Sequence, residues 1–316
     1  MFKTIKLCAV KTSANMRHIS NYNKNRKIKC VITSGEGTLF GYGGFHGVDT
    51  MNRVCAGRDI AMTRDDILGG LGLGDRQHLA HITRNESFNT QWRALYKREF
   101  SLYDMNIMYA DYAMQQFDQV GTNLIAPKYI YKYLKSCGIK IGLSTCHLQY
   151  LHEFIAPQLT GQGWTPDYTV TARDAALPSD QYGKVVARPF GTMIDLIRKR
   201  AGVDHSEVLY VGDTIYDAMD GYAANVKTAL VTDTGAYMGL TEDELNRLKR
   251  TDEDGYNNRL VKNVYNRFGA MDMHYSHSVN NISETSIFVN EVWKNTFVIP
   301  SMNFLDQLIN RIENEK

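Results

Sequence analysis

The sequence predicts an α/β fold: a doubly wound parallel sheet carrying an inserted α-helical segment. Three observations predict it. Short apolar runs alternate with helical patterns from residue 127 onward. Several of those runs, and an isolated one at residues 28–33, end in small or acidic polar residues. Open α/β sheets deliver ligand-binding groups to the C-terminal ends of their strands in this way. Between residues 46 and 121 the strand signal stops and helical spacing takes over.

The bulk properties agree with a globular chain. It has 316 residues, 43% hydrophobic and 22% charged, with a net charge of +2. That balance excludes a molecule-wide electrostatic grip on nucleic acid or membrane. No apolar run is long enough to span a bilayer. The five cysteines form no Cys-x-x-Cys pair, which argues against a zinc site or a disulfide framework. A reducing, cytoplasmic setting is expected.

Residues 1–28 form a basic extension. The first 29 residues hold eight Lys or Arg and no Asp or Glu. A transit peptide, a nucleic-acid arm, a solvated arm or an edge strand over Phe2–Leu7 could each look like this. Residues 28–33 then read as a buried strand, and 34–44 as a Gly-rich loop. The helical segment 46–121 includes the break Gly69-Gly70-Leu71-Gly72-Leu73-Gly74-Asp75. Its stripe of Trp92, Leu95, Tyr96, Phe100, Tyr103, Met105, Met108, Tyr109, Tyr112 and Met114 reads as the core of a helical bundle. Residues 29–45 and 122–316 form the sheet domain. Within it, helices are expected at Tyr129–Ser136, Leu148–Leu159, Thr192–Ala201 and Ala218–Ala224. Strands are expected at 140–143, 167–171, 208–211 and 228–231. Residues 270–296 carry little period. Ser301 is placed to cap a final helix with Met302, Leu305, Leu308, Ile309 and Ile312 on one face.

The polar groups at strand ends and adjoining loops form a constellation: Ser34 and Glu36, then Ser144 and Thr145, then Arg188, then Asp213 and Asp217. Ser144, Thr145 and Arg188 are the residue types of a phosphate pocket. Asp213 and Asp217, with Glu36, could hold a Mg²⁺ ion. Gly212-Asp213-Thr214-x-x-Asp217 reads equally well as a helix N-cap followed by a first-turn carboxylate.

The stretch Val31-Ile32-Thr33-Ser34-Gly35-Glu36-Gly37-Thr38 resembles the Asp-x-Asp-Gly-Thr motif of the haloacid dehalogenase superfamily, with Ser34 in the nucleophile's slot. Within it the chain is similar to the phosphonoacetaldehyde hydrolases. Gly41-Tyr42-Gly43-Gly44-Phe45, Ile141-Gly142-Leu143-Ser144-Thr145, Gly163-Trp164-Thr165-Pro166-Asp167, Ala187-Arg188-Pro189 and Val211-Gly212-Asp213-Thr214 carry that similarity. So do Gly239–Glu244 and Asn266-Arg267-Phe268. The resemblance implies a Rossmann-like core with a helical cap inserted after the first strand. It also implies a cap lysine that forms a Schiff base and a core aspartate that accepts the phosphoryl group. The lysine's slot holds Leu73, which has no nitrogen, and no lysine lies between Arg53 and Lys97. Serine at position 34 is a neutral, weak nucleophile without an activating base.

Two functions are therefore expected to compete. One is a pseudoenzyme without phosphonoacetaldehyde hydrolase activity, with Mg²⁺ weak or absent, that serves as a protein-binding adaptor. Its partner would dock on the cap or on the segments 174–187 and 270–296. The other is a Mg²⁺-dependent hydrolase of a phosphate ester using Ser34 or Glu36. Nucleic acid and membrane are not expected partners. The oligomeric state is left open, a dimer included.

Overall fold

The computed structural model describes residues 26–41, 45–120, 122–175, 188–234 and 295–315, with positions 247, 250–251 and 291–292. The expected edge strand at Phe2–Leu7 lies outside these residues. So do nearly all of 174–187 and 270–296 and the motif stretches Gly239–Glu244 and Asn266–Phe268.

Six strands form one wholly parallel sheet: β1 (Cys30–Ser34), β2 (Lys140–Thr145), β3 (Tyr168–Thr171), β4 (Val208–Gly212), β5 (Lys227–Val231) and β6 (Thr296–Ile299). Their order is β3-β2-β1-β4-β5-β6. The central strand is buried along its whole length, as a strand covered on both faces must be. Alternation along it feeds two cores. Val31 joins Ile141, Leu143, Leu209 and Val211 under helices α6 (Lys128–Ser136), α7 (Gln149–Gly161) and α10 (Leu305–Asn314). Cys30 and Ile32 face the other way, with Tyr210, against Met193, Ile194 and Ile197 of α8 (Thr192–Ala201). Helix α9 (Ile215–Ala223) packs Ala218 and Met219 against Leu230 of β5.

Between β1 and α6 the described residues make five helices: α1 (Phe45–Ala56), α2 (Arg64–Leu68), α3 (Asp75–Thr83), α4 (Glu86–Tyr96) and α5 (Leu102–Gln119). They enclose their own apolar centre, which includes Met51, Leu79, Phe88, Trp92 and Met108. Phe88 stacks on Trp92 at 5.8 Å, and Phe100 meets both rings edge-on.

Three local expectations need correction. β6 went unread because its four residues sit between irregular sequence and Pro300, too short to show a period. The final helix begins at Leu305. Ser301 instead caps a 3₁₀ turn, Met302–Phe304, accepting from the Asn303 amide at 3.3 Å. The aromatic and Met stripe is only half core. Trp92, Met105, Met108 and Tyr112 are buried, but Leu95, Tyr96, Tyr103 and Met114 are exposed. Positions 105, 108 and 112 share one helical face, and 103 and 114 fall off it.

Candidate functional site

The strand order reverses between β1 and β4, and the cavity lies there, beyond the C-terminal ends of the strands. β1 ends at Ser34 and turns sharply, with the Leu39 amide donating to the Gly35 carbonyl at 2.7 Å. Gly37 is required in that turn. Its φ is +78°, and a β-carbon there would stand 2.2 Å from Asp213 Oδ2. The bare backbone lets Asp213 press against the turn, where Thr38 Oγ1 donates to Asp213 Oδ1 at 2.9 Å.

Arg188 holds the floor together from a fully interior position, 4% exposed. One terminal nitrogen donates to Ser34 Oγ at 3.0 Å and to the Ser144 carbonyl at 3.1 Å. The other is 3.1 Å from Asp217 Oδ1, and Nε is 3.9 Å from Asp220 Oδ2. Asp217 is itself saturated. It accepts from Tyr210 Oη at 2.5 Å, Thr214 Oγ1 at 2.7 Å and the amides of Thr214 and Asp213 at 2.9 and 3.2 Å. The Asp217 amide donates back to Thr214 Oγ1, so this pair closes a capping box at the start of α9. Asp213 lines the cavity and Asp217 does not.

The cap supplies the opposite wall through Leu71, Leu73, Asp75, His78 and Tyr112. Asp75 opens α3. Its oxygens accept from Gln116 Nε2 at 2.9 Å and Tyr112 Oη at 3.3 Å, both on α5. His78 Nε2 meets the Ile67 carbonyl at 2.7 Å, and burial lowers its pKa to about 4. Cap and core meet directly. Tyr216 Oη donates to the Gly69 carbonyl at 3.1 Å. Gly72, at φ +100°, lies so close that a β-carbon would stand 2.3 Å from Thr214 Oγ1. The cavity measures about 70 Å³.

The electrostatics are dominated by buried acids. Burial pushes the Glu36 carboxyl well above its usual range, and the Asp213 and Asp75 charges push it further. Glu36 Oε1 accepts from the His46 amide at 3.1 Å, and Oε2 lies 3.7 Å from His147 Nε2. Burial and the nearby His46 and Arg188 lower His147 to about 3, so its imidazole is neutral near pH 7. Asp213 is raised by burial and by Asp217, and Asp75 is raised by burial to about 6. Cys146, also in the wall, is pushed up to about 12 by burial and is no thiolate nucleophile.

Of the residues singled out in the sequence, Ser34, Glu36, Leu73, Thr145, Arg188 and Asp213 all line this cavity. Ser144 pairs with Ser34 across the β1–β2 ladder, and its hydroxyl is buried with no hydrogen-bond partner among the described residues. Sequence reasoning missed Asp75, Tyr210 and Asp220. Asp75 was hidden in a stretch read as a flexible break, although Gly74 followed by Gln77 is a helix start. Asp220 could have been found, since it lies one helical turn beyond Asp217 on the same face.

The family model described as haloacid dehalogenase-like hydrolase matches residues 47–231, more than half of the chain. The chain belongs to that family. Curated relatives of this chain include phosphonoacetaldehyde hydrolases. The protein from Bacillus cytotoxicus is 26% identical over 69% of this chain and 81% of its own length. That from Syntrophobacter fumaroxidans is 27% identical over 78% of this chain and 86% of its own. Among solved structures, a phosphonoacetaldehyde hydrolase-like protein from Oleispira antarctica superposes with a TM-score of 0.75 at 20% identity. That alignment covers 92% of this chain and 96% of the other, and it shows a shared fold.

The family implies Mg²⁺, and the residues present do not fit a preformed site for it. Mg²⁺ demands convergent oxygen ligands in octahedral array. Here Asp217 is saturated, Ser34 is a neutral hydroxyl held by a fixed cation, and Asp213 Oδ1 is committed to Thr38. Among the described residues, no three His, Cys, Asp or Glu side chains are placed to share an ion.

Proposed function

We propose that this chain is a phosphonatase-like member of its family that does not hydrolyse phosphonoacetaldehyde and works by binding. One observation carries the reading: Ser34 and Leu73, which the resemblance puts in the reactive slots, both line the cavity. Leu73 presents hydrocarbon where an imine needs an amine. Ser34 Oγ accepts a hydrogen bond from Arg188, and a guanidinium cannot take the proton a serine nucleophile must lose. The adaptor role places a protein partner on the cap. The exposed Leu102, Tyr103 and Met114 of α5, at 71%, 71% and 76%, support that placement.

A second reading is favoured by Glu36. Burial raises the pKa of the Glu36 carboxyl, the direction that suits a general acid acting on a phosphate ester. One screen separates the two. The purified chain is assayed with Mg²⁺ against phosphonoacetaldehyde and a panel of phosphate esters, beside Asp213→Ala. No turnover is expected for either protein. Turnover by the parent that Asp213→Ala abolishes would sink the binding reading.

A further inference from the structure

Helix α5 is apolar on two faces. Met105, Met108 and Tyr112 turn inward to the centre of the cap. On the outward side stand Tyr103, Ile107, Met114 and Phe117, exposed by 71%, 41%, 76% and 41%, with the exposed Ala110 among them. Their separations along the helix run four, three, four, three. That alternation is a coiled-coil seam, the pattern by which one helix packs along another. Apolar residues scattered singly over a surface have no such period. Asp104, Asp111 and Asp118 repeat every seven residues beside the seam, and α5 holds no Lys or Arg. A face of that sign does not suit an anionic membrane or a nucleic acid. It suits another helix with an apolar seam of its own.

The charges say which helix. Arg98 holds Asp104 at 2.6 Å and Arg58 holds Asp111, so two of the three acids are already neutralised within the chain. Asp118 is exposed at the C-terminal end of the seam, and Lys97 is exposed just ahead of its N-terminal end. Neither side chain has a partner among the described residues. A second α5 running antiparallel brings the Asp118 of each copy to the Lys97 end of the other, once at each end. It also sets the positive N-terminus of each helix beside the negative C-terminus of its mate. With the two-fold axis between positions 108 and 109, Tyr103 meets Met114 of the second copy and Ile107 meets its Ala110, the larger side chain against the smaller in each layer. A parallel pair would instead set Asp118 beside Asp118 and Lys97 beside Lys97.

We propose that the outward face of α5 is an isologous interface between two copies of this chain, an antiparallel seam closed at each end by Lys97 and Asp118. The apolar surface continues from the cap onto the core. Phe117 stacks on Tyr150 at 5.3 Å and meets Phe154 edge-on at 5.7 Å, and those two rings are themselves 38% and 45% exposed. The 18 residues of α5 span about 27 Å, which sets a contact at the small end of specific interfaces and a dimer that exchanges with monomer.

The proposal deepens the protein-binding reading by naming the partner as a second copy. Sedimentation velocity on the full-length chain tests it over the ~1–100 µM range in which such contacts dissociate. A reversible monomer–dimer equilibrium is expected. Met114→Glu should leave a monomer with the parental circular dichroism, since that side chain packs on nothing in the cap's apolar centre. Asp118→Lys should weaken the dimer at least tenfold, and adding Lys97→Asp to it should restore most of the loss. Should Met114→Glu not fold, the charge-swap pair decides. A chain that stays monomeric throughout, a dimer that Met114→Glu leaves intact, or a double variant no tighter than Asp118→Lys overturns the proposal. A monomer would leave the binding reading standing with some other partner. Turnover in the ester screen would overturn that reading without touching the dimer.

Discussion

Arg188 shows how one side chain can organise a site and be consumed by it. Its guanidinium spans a hydroxyl, a main-chain carbonyl and two carboxylates, all buried. Removing it strands Asp217 and Asp220 in the interior. Arg188→Met should cost about 3–5 kcal/mol, measured by urea denaturation at pH 8. The deficit should shrink as pH falls toward 6. Burial, opposed by Arg188, already pushes Asp220 up to about 7. A carboxyl raised in the folded state contributes stability that is fully present below its unfolded pKa and is lost as pH rises from there through its folded pKa. Without Arg188 the rise is larger, so protonation rescues more. A pH-independent deficit would mean that lost packing, not stranded charge, is the cause. The sequence marked Arg188 as a phosphate-pocket candidate by motif alone. It could not show that the cation is already paired, because the acids that pair it lie 29 and 32 positions away and only folding brings them together.

At the scale of elements, strands and helices were legible wherever they are long enough to show a period. Thr192–Ala201 was read to the residue and β4 to within one. The start of α9 was placed three residues late because its first turn looks like loop sequence, Thr214-Ile215-Tyr216-Asp217. That turn is a cap. Thr214 Oγ1 accepts from the Asp217 amide and donates to its carboxylate. Thr214→Ala should therefore cost about 1–2 kcal/mol. The denaturant midpoint should fall while the m-value stays at the parental one. A changed m-value would mean that the loss spreads beyond the cap. The candidate site was legible in its core half, where the residues sit at strand ends or in the adjoining loops. The cap half was not. Asp75 and Tyr112 meet only because α3 packs on α5, a tertiary fact with no local signature.

For the molecule as a whole, the joint between cap and core decides whether the cavity is closed. Gly72 makes that joint possible, since any β-carbon there collides with Thr214. Gly72→Ala should separate the 69–74 loop from the core without unfolding either part. Hydrogen exchange is expected to quicken in that loop and at Tyr216, while amides of β1, β2 and β4 keep parental protection. Unchanged exchange in the loop would show that the joint does not depend on Gly72.

The position of β1 in the chain also sets a timetable. Thr33 finds its neighbour Gly142 across 109 residues, and Ser34 finds Arg188 across 154. At the ~5–20 residues per second of protein synthesis, β1 waits about 5–20 s for its first ladder partner. The five helices made in the meantime have an apolar centre of their own to collapse on. Folding on the ribosome thus has a natural sequence, with the inserted helices settling first. The sheet's innermost strand, although nearly the first part of the described chain to be made, is among the last to be enclosed.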